Sequence, residues 1–201
     1  LSIKGNFINN GTYTPAGNTT YFSGSSDQSI SGTALTTTFF DLTKQSSTTL
    51  SLAGATTVSV TNDLTLVGGT LNTGNFDLNV GRNIASDGTT LSSGASKGII
   101  CNGADLQQLS GAATFARLTI DNANGLDVPT QASPINFTES LNLDNGVMNI
   151  GRNLIVFDND AIINAASGFS SSRMVQTNLS FTDNGIKKVL PSGASTFLFP
   201  I

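Results

Sequence analysis

The chain has 201 residues, with 9 Lys and Arg against 13 Asp and Glu, no His and one Cys, for a net charge of −4. Charged residues make up only 11%, and Lys187-Lys188 is the one adjacent basic pair. That balance argues against a nucleic-acid backbone or an anionic lipid surface as partner, since both need clustered cations. No stretch approaches the roughly 18 consecutive apolar residues of a membrane span, and no signal peptide opens the chain. Gly, Ser, Thr and Asn crowd the sequence while Leu, Ile, Val and Phe fill the apolar positions, which predicts an all-β chain. Twelve Phe and apolar pairs throughout separate it from a disordered Ser/Thr-rich segment.

Taken in order, LSIKGNFINNGTYT predicts a short alternating strand, an Asn-Asn-Gly turn at 9 to 11 and a second strand through Tyr13. Further on, LNVGRNIASDGT repeats it, with Leu78, Val80 and Ile84 matching Leu1, Ile3 and Phe7, and Asp87-Gly88 matching Asn10-Gly11. Both dipeptides favour positive φ and chain reversal. The segment TTYFSGSSDQSISG at 19 to 32 is answered by IICNGADLQQLSG at 99 to 111, pairing Phe22 with Cys101, Ile30 with Leu109 and Gly32 with Gly111. Cys101 has no partner for an internal disulfide, and its match to Phe22 predicts a buried, inert thiol. TFFDLTK at 38 to 44 matches TFARLTI at 114 to 120, and TLSL at 49 to 52 matches GLDV at 125 to 128. Asn124-Gly125 and Asn145-Gly146 read as turns, and Pro129 and Pro134 bracket a segment expected to bulge or sit on an edge.

The clearest stretch is LTLVGGTLNTGNFDLNVGRNI from Leu64 to Ile84, which returns from Leu141 as LNLDNGVMNIGRNLIV. These matches define two repeats of about 77 residues, 1–77 and 78–157. Residues 158–201 diverge, keeping short apolar strands at Ala161 to Ile163, Met174-Val175 and Phe197 to Phe199. They read as terminal or capping coils of the same domain.

Within each repeat the strong apolar pairs recur at a spacing of roughly 20 to 23 residues, the length of one coil of a β-solenoid. Leu42 to Leu64, Leu64 to Ile84 and Leu118 to Leu141 are the examples. The expectation is a right-handed parallel β-solenoid of roughly nine coils, about 40 to 45 Å long at ~4.8 Å per strand. β-Sandwich repeats are the alternative, since short strands with frequent turns fit them too. A sandwich leaves the short recurrence without a cause.

LTLVGGTLNTGNFDLNVGRNI, together with GNFINNGTYT and DQSISG, resembles the repeats of very large secreted surface proteins of Bacteroidota, the gliding-type adhesins and other cargo of the type IX secretion system. The closing IKKVLPSGASTFLFPI resembles the Phe-Pro-Val-Gly type ending that follows such repeats. The resemblance covers nearly the whole chain and implies a non-enzymatic extracellular stalk or adhesin. The sorting domain of such cargo is not among these residues. The missing initiator Met and the ending Phe199-Pro200-Ile201 suit a piece of something longer.

Chemistry-bearing constellations are sparse. Asp158 with Asp160, and Asp121 with Asp127 across one turn, are the candidates for the acid–base or cation sites of glycan-cleaving β-helices. Each is better explained as a turn-forming aspartate. The GGxGxD signature of calcium-binding β-rolls is missing, and no catalytic, cofactor or metal residues are assigned. Arg82 and Arg152, both in Gly-Arg-Asn, read as turn-lining. The Asn-x-Ser/Thr sequons at Asn10, Asn18, Asn136 and Asn178 fit chance in such a composition. An ice-binding Thr-x-Thr face would need many aligned copies, and beyond Thr12-Tyr13-Thr14 only scattered pairs are visible.

The functional expectation is a non-enzymatic structural or adhesive module, extracellular or at the cell surface. It would stack by its coil edges on neighbouring repeats of its parent chain or on another subunit, with surface glycans as possible ligands. A glycan-binding or glycan-cleaving β-helix is the alternative, favoured by a groove lined with Tyr13, Tyr21 and acids.

Overall fold

Alternation of apolar and polar residues over a few positions gives each strand one buried face. Asn, Asp and Gly at short intervals turn the chain before a longer strand can form. The computed structural model describes residues 1–54, 57–92, 97–129, 133–193 and 196–200, and shows what these pieces build. The first coil carries β1 (Ser2–Ile3) and β2 (Phe7–Ile8). The second carries β3 (Thr19–Phe22), β4 (Gln28–Ser31) and β5 (Thr36–Phe39). The third has β6 (Asp41–Lys44), β7 (Thr49–Leu52) and β8 (Thr57–Val60), and the fourth β9 (Leu64–Leu66), β10 (Thr70–Asn72) and β11 (Leu78–Val80). The fifth has β12 (Ile84–Ser86), β13 (Thr89–Ser92) and β14 (Ile99–Cys101). In the sixth and seventh, a short β15 (Gln107–Ser110) or β17 (Leu126–Asp127) precedes one long strand bent across a corner, β16 (Ala113–Asp121) or β18 (Ile135–Asn145). The eighth holds β19 (Met148–Gly151), β20 (Leu154–Phe157) and β21 (Ile162–Asn164), and the last β22 (Val175–Thr177) and β23 (Gly185–Lys188).

Each strand pairs in parallel with its counterpart one coil away, so the coils stack into a three-faced parallel β-solenoid. The first face runs β1-β3-β6-β9-β12-β15-β17-β19-β22. The second runs from β2 through β4, β7, β10 and β13 to the opening halves of β16 and β18, then β20 and β23. The third runs from β5 through β8, β11 and β14 to the closing halves of β16 and β18, then β21. The winding completes about eight turns, one fewer than the nine expected, because both end coils lack a third strand among the described residues.

The expected short recurrence is the coil. Leu42 lies in register with Leu64, Leu64 with Ile84, and Leu118 with Leu141. Inward positions stack into unbroken ladders. On the third face Phe39, Val60, Val80, Cys101, Ile120 and Leu143 follow one another. On the second face Leu50, Leu71, Leu91, Phe115, Phe137 and Phe157 do the same. These residues are buried and belong to one core that runs from Phe22 to Val175.

The positions matched between the two long repeats do not stack. Leu64 lies on the first face and Leu141 on the third; Leu71 lies on the second and Met148 on the first. The long repeat is therefore not a whole number of coils: it carries the chain three coils and two faces further on. Cys101 accordingly follows Val80 on the third face, while Phe22 is on the first.

Three local expectations need correction. Residues 12 to 15 form no strand; the Tyr13 ring instead packs against Phe7 and Phe39, with centroids 5.1 and 5.6 Å away. The Gly turns do not reverse the chain, since they turn corners between parallel faces, and Gly11 has no positive φ whereas Gly88 has 72°. The segment that Pro129 and Pro134 bracket, expected to bulge or sit on an edge, falls on residues 130–132, which lie outside the described ones. Phe197 to Phe199 form no strand, and a strand not expected from the sequence, β23, pairs with β20.

Candidate functional site

The titratable and amide side chains are best located by the columns they occupy. Where each coil turns from the third face to the first, Thr19, Asp41, Asp63, Asn83, Gln108, Asp127, Asn149 and Gln176 share one register position through eight coils. At that corner the backbone leaves the ladder, and the side-chain oxygens supply the acceptors it loses. Asp41 Oδ1 accepts from the Asp63 N–H at 3.2 Å, Asp63 Oδ1 from the Asn83 N–H at 3.1 Å and Asn83 Oδ1 from the Gln108 N–H at 2.9 Å. Asp41 also accepts from Asn62 and Thr19; burial alone would raise its pKa, but these hydrogen bonds together bring it below the ordinary value. Asn6, Asp27 and Asp77 do the same work for Ser29, Thr49 and Gly98 at the other corners.

Two buried glutamines staple corners from within. Gln28 Oε1 accepts from the Gly24 N–H at 2.8 Å, and its Nε2 donates to Ile3 and Gly5 carbonyls at 3.1 and 2.6 Å. Gln107 repeats this with Gly103 N–H and the carbonyls of Val80 and Arg82. Lys44, fully buried, donates through Nζ to the carbonyls of Ser46 and Gly68. Burial lowers its pKa, partly offset by the Asp27 carboxylate.

The sequence-derived candidates fall into this framework. Asp127 accepts from Asn149 Nδ2 at 2.8 Å. Asp160 accepts from Asn159 beside it, and the Asp158, Asn159 and Ala161 carbonyls gather around Lys188 Nζ. Burial depresses the pKa of Lys188, with Asp160 and Asp158 opposing. Asp121 is on the third face and Asp127 on the first; Asp121 acts instead on Asp144, whose pKa is raised by burial and then by the Asp121 charge. Arg82 reaches Asn62 Oδ1 at 3.3 Å and Asp63 at 3.8 Å, a corner contact as expected. Cys101 is fully buried, and burial pushes its thiol up to about 12, so it carries no thiolate at neutral pH.

Tyr13 and Tyr21 line no common groove. The first packs into the core end with its hydroxyl 3.2 Å from Thr20 Oγ1, and the second points outward from β3. A shallow groove of about 250 Å³ lies on the first face, lined by Thr65, Val67, Ala85, Asp87, Ser110 and Gly111, with one acid and no base. Among the described residues no group of three potential metal ligands occurs, and no helix is long and apolar enough to cross a membrane. One feature escapes sequence reading. Thr49, Thr70, Thr90 and Thr114 form a single outward column on the second face. Their spacing changes from coil to coil, so the column is visible only once the length of each coil is known. No family model, curated protein or solved structure matches the chain.

Proposed function

We propose that the chain is a non-enzymatic structural module, a stiff rod segment of a secreted or cell-surface repeat protein of the gliding-adhesin type. The observation that carries the reading is how the polar side chains are spent. Asp41, Asp63, Asp77 and Asp127 each hold the adjoining coil, and Gln28, Gln107 and Lys44 each hold buried backbone. Reactive chemistry needs carboxylates or cations converging on an open space, whereas these converge on their own backbone. The outward Ser, Thr and Asn positions present a neutral wetted wall suited to exposure in bulk water, and the continuous core resists bending because every interior coil bears on two neighbours. Small-angle scattering should give a rod roughly 40 Å long. A glycan array and incubation with polysaccharides test the competing role: saturable, sugar-specific binding, or new chain ends in the polysaccharide, would replace this reading with a glycan-directed one.

A further inference from the structure

The corner after β20 is built differently from the one below it. In the seventh coil only residues 138 and 139 lie between Phe137 and Ser140; in the eighth, their register partners Phe157 and Ile162 are separated by four residues, 158 to 161. The longer corner forms a tight turn, closed by the Ala161 N–H donating to the Asp158 carbonyl at 3.0 Å. A strand that runs on across a corner keeps its carbonyls in the ladder, whereas a turn swings them out of it, and they need another donor. Three of the four carbonyls, those of Asp158, Asn159 and Ala161, converge on one point. Lys188 Nζ occupies it, at 2.5, 2.7 and 2.6 Å.

The register makes that lysine informative. Lys188 pairs with Phe157, so it holds the next rung of the ladder that runs through Phe115, Phe137 and Phe157. An apolar side chain there would simply prolong the stack. Instead the ring of Phe197 lies 5.8 Å from Phe157 and 5.4 Å from the Lys188 ammonium, and the Val189 N–H donates to the Phe157 carbonyl at 2.9 Å. One ammonium therefore bears on the turn, on β23 and on the closing segment together. The chain uses the same device elsewhere: Lys44, in the inward column between Phe22 and Leu66, directs its ammonium to the Ser46 and Gly68 carbonyls of another corner. A lysine suits the task because it offers three donors around a compact point charge.

Carbonyls gathered around a positive charge are also what a hard cation requires, and Ca²⁺ accepts carbonyl, carboxylate and water oxygens in a pliable arrangement. Two carboxylates alone make no metal site. Three convergent carbonyls with the two acids of the same turn, Asp158 and Asp160, make an all-oxygen set. Two carboxylates against one ammonium leave one negative charge over, and a divalent cation leaves none. Mg²⁺ demands a stricter octahedron and holds its waters, so it fits the turn less well. We infer that the turn at 158–161 is a cation site whose occupant in this chain is tethered, the Lys188 ammonium, that this ammonium is the latch fastening β23 to the eighth coil, and that the turn takes Ca²⁺ once the latch is removed. The latch concerns how the chain is fastened, so its failure would leave the rod-segment reading as it stands.

The test compares the whole chain with Lys188→Met, which keeps a long stem and removes the charge. In the unaltered chain, amide hydrogen exchange of residues 185–189 should be the same in EDTA and in about 5 mM Ca²⁺. In Lys188→Met it should be about tenfold faster or more in EDTA, because three charge-assisted hydrogen bonds are gone, while β7 to β18 exchange as before. Adding Ca²⁺ should slow it again and shift the amide NMR signals of residues 158–161, with Mg²⁺ at the same concentration doing little. Placing Asp158→Asn and Asp160→Asn in the Lys188→Met background should abolish that response. Unchanged exchange in Lys188→Met, or a change that reaches β7 to β18, overturns the latch. Fast exchange that Ca²⁺ neither slows nor accompanies with shifts at 158–161 overturns the cation site, as does a Ca²⁺ effect that survives loss of both acids or is equally large in the unaltered chain.

Discussion

Gln28 and Gln107, both buried, each satisfy a glycine N–H and two carbonyls lying about one turn of the winding earlier in the chain. Truncating either leaves these groups unpaired in the interior, so Gln28→Ala and Gln107→Ala should each lower unfolding free energy by about 2–4 kcal/mol in urea titrations, whereas exposed Gln108→Ala should stay within about 0.5 kcal/mol. Part of this is legible in the letters. The match of GSSDQSISG to GADLQQLSG is the same corner built twice, and Gly32 and Gly111, at φ 132° and 82°, pass so close to the Asn9 and Ser86 carbonyls that a Cβ on either would overlap them. What the letters do not show is that each glutamine reaches back to carbonyls about one turn of the winding earlier in the chain. Lys44 escapes for a related reason: an isolated Lys in a polar run reads as solvated, and only the stack places it between Phe22 and Leu66. Its pH signature follows from sign. With the folded pKa below the ordinary 10.5, the unfolded chain holds more protons between the two values, so stability contributed by this site rises with pH across that window. The unfolding free energy of the wild type minus that of Lys44→Met should therefore increase on the alkaline side, measured from pH ~7 to ~11. A difference that stays flat or falls would remove Lys44 from the buried, charged role.

At the scale of elements, stability resides in ladders more than in any one strand, since most strands here bury two side chains or fewer. Phe137 lies between Phe115 and Phe157, with ring centroids at 5.9 and 4.8 Å and planes within 23° and 12°. Phe137→Ala should cost about 3–5 kcal/mol by calorimetry or urea melts, because the cavity opens in the middle of a stack whose neighbours are fixed by their own coils. Phe137→Leu should cost markedly less, and equal losses for the two would mean that ring stacking matters here beyond volume. Alternating Leu, Ile and Val make most inward positions legible. Sequence reading fails where apolar residues do something other than form strands. Phe197 to Phe199 read as a strand but serve as a lid, with Phe197 supplying the last ring of the stack and Phe199 packed edge-on against it at 4.9 Å. Conversely, Gly185–Lys188 is a strand whose Lys187-Lys188 pair hides the pattern; Lys188 turns its amine back to three carbonyls and over the Phe197 ring.

The whole molecule resolves why a real internal repeat pointed to the right architecture through a wrong equivalence. The three faces offer a strand nearly the same surroundings, so a duplicated stretch can be laid down two faces out of phase and still bury the same residues, as Leu64 and Leu141 do. The long repeat is thus a record in the sequence that carries no boundary in the structure: residue 78 opens β11, which pairs in unbroken register with β8 on one side and β14 on the other. The divergent section from residue 158 continues the stack through β21, β22 and β23. Stability in such an array is a sum of coil terms and nearest-neighbour terms, so interior coils, held from both sides, open least and end coils fray. Amide hydrogen exchange on dilute protein should therefore be slowest from β7 to β18 and grade smoothly faster toward both ends, with β22 and β23 continuing the gradient set by β19 and β20. A step near residue 157, with everything beyond it exchanging as one independent unit, would show that the last coils are a separate body docked on the rod.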